Sequence, residues 1–287
     1  MTAAAKRLDE RSYECFKVEI ADKIAHIVLN RPDKFNTMNL AFWRELPEIV
    51  HEINEKALAR VIVVSSTGKH FTAGMDLSVF SSGRDMTGKE TGRVRANLMK
   101  TVQRLQQTFS CLDEARTPVL MAVHGGCIGG GVDFASACDM RYATRDAFFC
   151  IQEINIGMTA DVGTFPRLSY LMPQGLVREL AYTGRRLMAD EARSCGFINQ
   201  LFDDQDAMLK GVFAIARDIA ARSPLAIWGS KEMLNYGRDH TVADTLRQIA
   251  VWQTGMFQPH DMMESFAAKS ARREPEFDDL LPIEDAI

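Results

Sequence analysis

One stretch of this 287-residue chain decides the fold: His124-Gly125-Gly126-Cys127-Ile128-Gly129-Gly130-Gly131-Val132-Asp133. It follows directly on the apolar run Val119–Val123, which is typical of a buried strand. Consecutive glycines let a backbone approach a ligand closely, and at the start of a helix they leave N–H donors unpaired. We therefore predict that the strand ends at this run and that the run opens a helix through Ala137.

Strand and helix patterns alternate on both sides of the glycine run. Residues 15–19 and 24–29 predict a hairpin around Ala21-Asp22-Lys23, and a periodic helix pattern begins at Asn39. The β-branched run Val61-Ile62-Val63-Val64 predicts a strand covered on both faces. Residues 81–92 are polar and contain three glycines, so we expect a mobile loop there.

Helical patterns dominate from residue 204 to about residue 271. We therefore expect an α/β fold in two parts, with the α/β body over residues 1–203 and a helical C-terminal region over residues 204–287.

Composition excludes several classes of protein. The chain is 46% apolar and 25% charged, which is ordinary for a globular protein, and its net charge of −4 argues against general attraction to nucleic acid. Its apolar stretches are far shorter than the roughly 20 residues that span a bilayer. The six cysteines form no CxxC pair and no metal-ligand spacing with the six histidines, so we expect reduced thiols and no metal site.

A first candidate loop is His70-Phe71-Thr72-Ala73-Gly74-Met75-Asp76-Leu77, which follows the predicted strand at Val61. Loops at the carboxyl ends of buried strands are where open α/β sheets bind ligands. Gly74 would let the chain turn sharply and present the Met75 N–H outward. The alternative is a plain strand-to-helix turn in which Asp76 caps the next helix.

The second candidate loop is the triplet Gly129-Gly130-Gly131. A helix N-terminus there would add a partial positive charge to its N–H groups. If the two loops are neighbours, the N–H groups of Met75 and Gly130 could hold one oxygen, and each such donor lowers the barrier to an oxyanion by roughly 3 kcal/mol. A phosphate-binding loop is the competing interpretation, but neither Gly-Lys-Ser/Thr nor GxGxxG is found.

Three carboxylates accompany these loops: Asp133 ends the glycine run, Glu153 lies 20 residues on, and Asp161 a further 8. Each has a structural alternative, because Asp133 could complement a helix dipole, Asp161 could cap a helix, and Glu153 could be a solvated edge residue. Carboxylates beside bare N–H donors suit the polarisation of a carbonyl while protons move on neighbouring carbons. Chance rarely supplies all five features together, so we interpret them as a proton-transfer site.

These segments resemble the crotonase (enoyl-CoA hydratase/isomerase) superfamily, and the similarity covers nearly the whole chain, beginning at Ile24-Ala25-His26-Ile27-Val28-Leu29-Asn30-Arg31-Pro32. Within it the chain most resembles the Δ3,5-Δ2,4-dienoyl-CoA isomerases, which share the pattern of Asp133, Glu153 and Ala160-Asp161-Val162-Gly163-Thr164. Ordinary hydratases usually have glutamate at the Asp133 position and glycine at the Asp161 position. The resemblance implies a ββα spiral core with a helical C-terminal region.

The resemblance also implies a mechanism. The thioester carbonyl of a 3,5-dienoyl-CoA would accept hydrogen bonds from Met75 and Gly130, Glu153 would remove a C2 proton, and Asp161 would protonate C6. Asp133 would orient Glu153 and hold its charge state. Mutual repulsion and apolar walls should push at least one of these acids towards neutrality at pH 7. The implied activity is an isomerase of fatty-acid β-oxidation.

Substrate contacts are also implied by the resemblance. The segment Lys34-Phe35-Asn36 and the backbone near Thr72-Ala73 would contact coenzyme A, with Asp76 in the same loop. Phe266 and Lys269 would pack by the adenine and meet phosphates, from the same or a neighbouring subunit, although a solvated basic helix end is the alternative. No cofactor is expected, because coenzyme A is part of the substrate.

Family resemblance favours a homotrimer or homohexamer that binds an acyl-CoA thioester and neither nucleic acid nor membrane. The chain ends Glu284-Asp285-Ala286-Ile287, without a Ser-Lys-Leu peroxisomal address, and its N-terminal residues do not resemble an Arg-rich transit peptide. We therefore expect a cytoplasmic enzyme.

Two other functions remain open. A 2-enoyl-CoA hydratase needs two carboxylates that hold one water, and Asp161 has no role in that reaction. A non-enzymatic binding protein, for example one that binds RNA, would need a basic stretch that the sequence lacks.

Overall fold

The computed structural model describes residues 7–81 and 91–284. The strands are β1 Phe16–Ala21, β2 Ile24–Leu29, β3 Val61–Ser66, β4 Val119–Val123, β5 Gly126–Ile128, β6 Met140–Thr144, β7 Phe148–Cys150, β8 Leu187–Met188 and β9 Gln200–Phe202. The helices are α1 Leu40–Glu55, α2 Leu77–Ser81, α3 Thr91–Glu114, α4 Gly130–Ala137, α5 Thr164–Leu171, α6 Gln174–Thr183, α7 Ala189–Ser194, α8 Gln205–Ala220, α9 Pro224–Tyr236, α10 Val242–Met256 and α11 Pro259–Ala271. The mobile loop expected at residues 81–92 falls largely outside the described residues.

Two sheets form the core of the described structure. The larger has the strand order β1-β2-β3-β4-β6-β9 and is parallel except for the β1–β2 hairpin. The smaller has the order β5-β7-β8. This arrangement confirms the predicted α/β class.

The β1–β2 hairpin turns at Asp22 and Lys23, as the sequence predicts. Both residues have left-handed backbone angles, with φ of 51° and 63°. Two consecutive positive φ values give a turn whose twist matches that of the flanking strands. The turn therefore sets the register in which Ala21 faces Ile24.

Strand β3 is buried on both faces, as its β-branched run predicts. Val61 and Val63 belong to one hydrophobic cluster, which helix α8 completes, while Ile62 and Val64 belong to the other. Because side chains alternate along a strand, a run with no polar position fills two layers.

Helix α1 begins where the sequence predicts, because the Asn39 side chain accepts hydrogen bonds from the N–H groups of Ala41 and Phe42. Its proline, Pro47, has no N–H to give to the Trp43 carbonyl four residues earlier. The Thr108 hydroxyl of α3 donates to that carbonyl at 3.3 Å. A hydrogen bond lost inside α1 is thus replaced across the α1–α3 contact.

The prediction that the glycine run opens a helix directly is wrong in one respect. Strand β5 takes up Gly126–Ile128 and pairs with β7, and α4 begins only at Gly130. A three-residue strand is too short to leave a periodic pattern, and its partner lies about 20 residues away in sequence. The short strand fixes the backbone just before the helix start.

The C-terminal residues return to the sheet body. Helix α8 covers one sheet face through Met208 and Val212. After α11 the chain runs back, so that the Ile283 N–H donates to the Glu55 carbonyl at 2.7 Å. The expected division at residues 203 and 204 stays a prediction. In the described part of the chain, no helix is both long and apolar enough to cross a membrane.

Candidate active site

The two predicted loops lie side by side. The Thr72 N–H donates to the Gly126 carbonyl at 3.1 Å, and the Ile128 N–H donates to the Thr72 carbonyl at 3.2 Å. These bonds join the loop after β3 to strand β5. The residues that follow, Met75 on one loop and Gly130 on the other, are therefore held close together.

Gly74 permits this close approach. Its φ is +88°, and a Cβ atom added there would lie 2.8 Å from the Ile128 carbonyl oxygen. Its own carbonyl accepts the Met38 N–H at 2.9 Å. Any larger residue would push the two loops apart.

Two backbone donors remain unused between the loops. Over residues 7–81 and 91–284, neither the Met75 N–H nor the Gly130 N–H has a backbone acceptor. Gly130 is the first residue of α4, where a helix leaves its N–H groups unpaired and the dipole is positive. The arrangement suits an oxygen atom that gains negative charge.

Glu153 lies against the start of α4. A Cβ atom placed on Gly129 would be 3.2 Å from the Glu153 Oε1 atom, so a larger residue there would press on this carboxylate. The Gly129 N–H donates to the Cys150 carbonyl at 2.9 Å, which ties the two segments together. Oε2 is buried and has no hydrogen-bond partner in the described part of the chain. Glu153 is therefore not a solvated edge residue.

Asp133 lies in the first turn of α4 and is 0% exposed. Its Oδ1 atom accepts hydrogen bonds from the Thr164 N–H at 2.7 Å and the Thr164 hydroxyl at 2.8 Å. Its Oδ2 atom is buried without a partner among the described residues. The carboxylate thus connects α4 to the first residue of α5.

Asp161 lies at the exposed rim of the acid group: the residue is exposed, while its charge acts on both Asp133 and Glu153. The Gln106 side chain donates to its backbone carbonyl at 2.7 Å. It borders a cavity of about 370 Å³ together with Ser110, Arg167 and Tyr170. Asp161 is not the cap of α5, because Gly163 occupies that position.

The three acids are electrostatically coupled. Burial raises the pKa of Glu153 to about 7, and the nearby Asp133 charge adds to this effect. Burial likewise raises the pKa of Asp133 to about 6, although the Thr164 hydrogen bonds oppose it. Although Asp161 is exposed, the surrounding protein removes part of its hydration, and this desolvation raises its pKa. At neutral pH such a group can exchange a proton with a substrate, which an ordinary surface carboxylate does poorly.

Some of the residues predicted to contact coenzyme A are exposed, and others already make hydrogen bonds within the protein. Lys34 and Phe35 are exposed beside the first loop, where the Ala73 N–H donates to the Phe35 carbonyl at 3.0 Å. The Asn36 amide is buried and donates to the carbonyls of Thr67 and His70. Asn36 therefore has a structural contact already, and only the exposed pair is free for a ligand.

Thr72 and Asp76 also hold the loop itself. The buried Thr72 hydroxyl donates to the Asn36 carbonyl at 2.7 Å. Asp76 caps α2 by accepting from the Ser78 N–H at 3.0 Å, and its other oxygen accepts from Thr37. The capping alternative for Asp76 is what the structure shows.

Phe266 and Lys269 lie on α11 and are exposed. Within the described residues, no hydrogen bond or ring contact links either side chain to the glycine loops. Their proposed contact with coenzyme A stays a prediction.

Sequence reasoning missed two residues of the site. In the sequence Thr164 is only the last residue of the Ala160–Thr164 motif, yet in the structure it holds Asp133. Met38 belongs to no motif, although its Sδ atom lies 3.0 Å from the position of a Cβ atom on Gly130. Neither has a local signal, because both act through contacts distant in sequence.

Comparison with known proteins shows which family the chain resembles. The family model Enoyl-CoA hydratase/isomerase matches residues 19–280. The mitochondrial Delta(3,5)-Delta(2,4)-dienoyl-CoA isomerase of Mus musculus is 43% identical over 274 residues, which cover 94% of this chain and 84% of that protein. The peroxisomal enzyme of the same name from Arabidopsis thaliana is 34% identical, over 93% of this chain and 97% of its own length.

Solved structures give the same fold. The enoyl-CoA hydratase of Bacillus anthracis superposes with a TM-score of 0.83 at 27% identity, covering 94% of this chain and 100% of that one. The expected fold with a helical C-terminal region is confirmed.

The expected cytoplasmic location is contradicted by the same comparison, because the relatives are named as mitochondrial and peroxisomal proteins. That expectation rested on the lack of a recognisable address segment. Receptors read such segments from short and variable patterns, so the lack of one does not fix a compartment.

Proposed function

The chain belongs to the enoyl-CoA hydratase/isomerase family, and from that premise we propose that it converts 3,5-dienoyl-CoA into 2,4-dienoyl-CoA in fatty-acid β-oxidation. The isomerase function is confirmed by relatives that carry this name at 43% and 34% identity, and the roles of the three acids are part of the proposal. The observation that carries the assignment is the set of three coupled carboxylates beside two unused N–H donors.

The N–H groups of Met75 and Gly130 would bind the thioester oxygen of the substrate. As the C2 proton leaves, negative charge grows on that oxygen, and each donor stabilises the transition state by roughly 3 kcal/mol. The resulting dienolate spreads its charge along the conjugated carbons to C6. No water enters this reaction, which agrees with the complete burial of Asp133.

Glu153 would take the C2 proton, and Asp161 would give a proton to C6. The raised pKa of Glu153, about 7, makes it a stronger base than an ordinary carboxylate. Asp161 lies at the rim, where the far end of the unsaturated chain would reach it and cover it from solvent. The substrate loses one proton at C2 and gains one at C6, so its own proton count is unchanged. Glu153 is left protonated and Asp161 ionised, and proton exchange with solvent after the product leaves would restore both groups.

Coenzyme A would enter past Lys34 and Phe35, which stand exposed beside the first loop. The reaction needs no cofactor, since coenzyme A is part of the substrate. Asn36, Thr72 and Asp76 would shape that entrance through their contacts within the protein.

Assembly into a homotrimer or a dimer of trimers is also proposed. Helices α10 and α11 expose apolar side chains, among them Leu246 at 61%, Val251 at 61% and Phe266 at 60%. A single chain rarely leaves so many on neighbouring helices. Light scattering should give three or six times the chain mass of 32.1 kDa, and a stable monomer would contradict the assembly. Phe266 and Lys269 would then serve a neighbouring subunit.

One assay tests the function. Purified protein is given 3,5-dienoyl-CoA and, in parallel, 2-enoyl-CoA, and the conjugated product is followed by its ultraviolet absorbance. Isomerisation should exceed hydration by orders of magnitude. Dominant hydration would replace the isomerase assignment by the second candidate, a 2-enoyl-CoA hydratase, which the structural similarity to hydratases favours.

A further inference from the structure

Thr164 has an unusual relation to the active-site acids. It is 0% exposed, and both its N–H and its hydroxyl donate to a single atom, Oδ1 of Asp133, at 2.7 and 2.8 Å. Thr164 is the first residue of α5, so this N–H belongs to the positive end of a helix. Asp133 on α4 therefore occupies the place of a capping group for α5.

This geometry determines where Asp133 can carry a proton. Oδ1 receives two donors, and a backbone N–H cannot become an acceptor. A proton on Oδ1 would require the Thr164 hydroxyl to turn from donor to acceptor, so the favoured site for a proton is Oδ2, which is buried and unpartnered within the described residues. Two hydrogen bonds to the charged form favour the anion.

Other charged groups act on the same carboxylate. Glu153 and Asp161 disfavour its charge, and Arg167 on α5 favours it. Arg167 is itself paired with Asp113 of α3 at 2.5 Å, and the Cys127 thiol of β5 also lies near Asp133. Thr164 is the group in direct hydrogen-bond contact.

We propose that Thr164 is a positioning residue that keeps Asp133 ionised, so that a proton taken up by the acid pair goes to Glu153 and not to Asp133. The proposal rests on the proposed function, in which Glu153 is the base for the C2 proton. An ionised Asp133 makes Glu153 more basic through repulsion, since each favours the protonated form of the other. A neutral Asp133 would leave Glu153 a weaker base.

The variant Thr164→Val removes the hydroxyl and keeps the shape of the side chain. Asp133 should then take up the first proton, and Glu153 should stay ionised to lower pH. We expect kcat to fall about tenfold and the acid limb of kcat/KM to move down by about one pH unit, with KM changed only a few-fold. Thr164→Ser keeps the hydroxyl, so the acid limb of its kcat/KM profile should lie at the same pH as in the unmodified protein.

Thr144→Val is the matched control, because the buried Thr144 hydroxyl of β6 also donates to an aspartate, Asp146, at 2.5 Å. It should leave the pH profile unchanged. An acid limb that stays in place or moves up in Thr164→Val would overturn the proposal.

A second measurement does not depend on the folding of that variant. Infrared spectra recorded as a function of pH should show a protonated carboxyl band below about pH 7. Glu153→Gln should remove this band, whereas Asp133→Asn should retain it and shift its appearance to lower pH, because the repulsion is gone. The reverse result would refute the role of Thr164. Because these spectra need no substrate, absence of isomerase activity would contradict the proposed function separately.

Discussion

At the scale of single residues, Asp133 and Glu153 each hold one carboxylate oxygen that is buried and unpartnered in the described structure. Such an atom costs about 1–3 kcal/mol of stability, so a fold that keeps two of them retains them for a reason other than stability. Asp161 differs because it is exposed at the rim. This difference in burial agrees with two separate roles, removal of the C2 proton at one end of the diene and protonation of C6 at the other.

Asp161→Asn removes the proton donor proposed for C6. We expect isomerisation to fall by at least about 100-fold, because general acids contribute 10²–10⁴-fold, while binding of the CoA ester stays within a few-fold. Steady-state rates and a titration with a non-reacting acyl-CoA check this. Asp203→Asn, an exposed aspartate paired with Arg145 at 2.8 Å, is the control and should keep full activity. Unchanged turnover in Asp161→Asn would leave that residue without a chemical role.

Glu153→Gln removes the proposed base but preserves the shape of the side chain. Exchange of the C2 hydrogen of bound substrate with deuterated water should stop, which proton NMR or mass spectrometry can follow. Asp161→Asn should retain this exchange, since its group acts at the other end. Persistent exchange in the Glu153→Gln variant would move the base elsewhere.

At the scale of elements, short segments rather than long helices position the chemistry. Strand β5 and the loop after β3 are joined by two backbone hydrogen bonds, which orient both N–H donors before any substrate binds. A preorganised donor needs no reorganisation as charge develops, and this is where its catalytic effect comes from.

Gly74→Ala tests this arrangement against a matched control. Gly74 and Gly196 have the same φ of +88°, but a Cβ atom on Gly196 has its nearest contact at 3.9 Å, whereas one on Gly74 meets the Ile128 carbonyl at 2.8 Å. Both variants carry a backbone cost of about 1–2 kcal/mol. Only Gly74→Ala should also displace Met75 and lower kcat by about 100-fold or more. Equal activity in the two variants would contradict the oxyanion assignment.

At the scale of the whole molecule, the buried acids link stability to pH. The pKa of Asp133 rises from 3.8 to about 6 on folding, so the folded chain holds a proton that the unfolded chain has lost. Its contribution is fully present below about pH 4 and is lost as the pH rises through about 6. Glu153, with a folded pKa of about 7, acts in the same direction over a slightly higher range.

The double variant Asp133→Asn/Glu153→Gln should therefore gain stability relative to the natural protein as the pH rises. Asp133 alone corresponds to about 3 kcal/mol between about pH 4 and pH 8. Urea unfolding at several pH values measures the difference between the two proteins, which cancels the titration of other groups. If the difference in stability between the two proteins stays constant with pH, the pKa of neither Asp133 nor Glu153 is raised in the folded state.

The sequence by itself determined the features that depend on neighbouring residues. The hairpin at Asp22 and Lys23, the start of α1 after Asn39 and the doubly covered strand β3 all follow from local patterns, and they were predicted correctly. The glycine loops and the spacing of the three acids led to the family. The expected cytoplasmic location was wrong, because it was inferred only from the lack of a recognisable address segment.

Only the tertiary structure decided how these pieces meet. Strand β5 exists because β7 pairs with it, and Thr164 reaches Asp133 across 31 residues of sequence. The same folding leaves Asp161 exposed at the rim. It also gives Asn36, Thr72 and Asp76 hydrogen-bond partners within the protein. Periodicity and propensity report on contacts a few residues apart, whereas protonation and hydrogen-bond partners in a buried site depend on atoms brought together from distant segments.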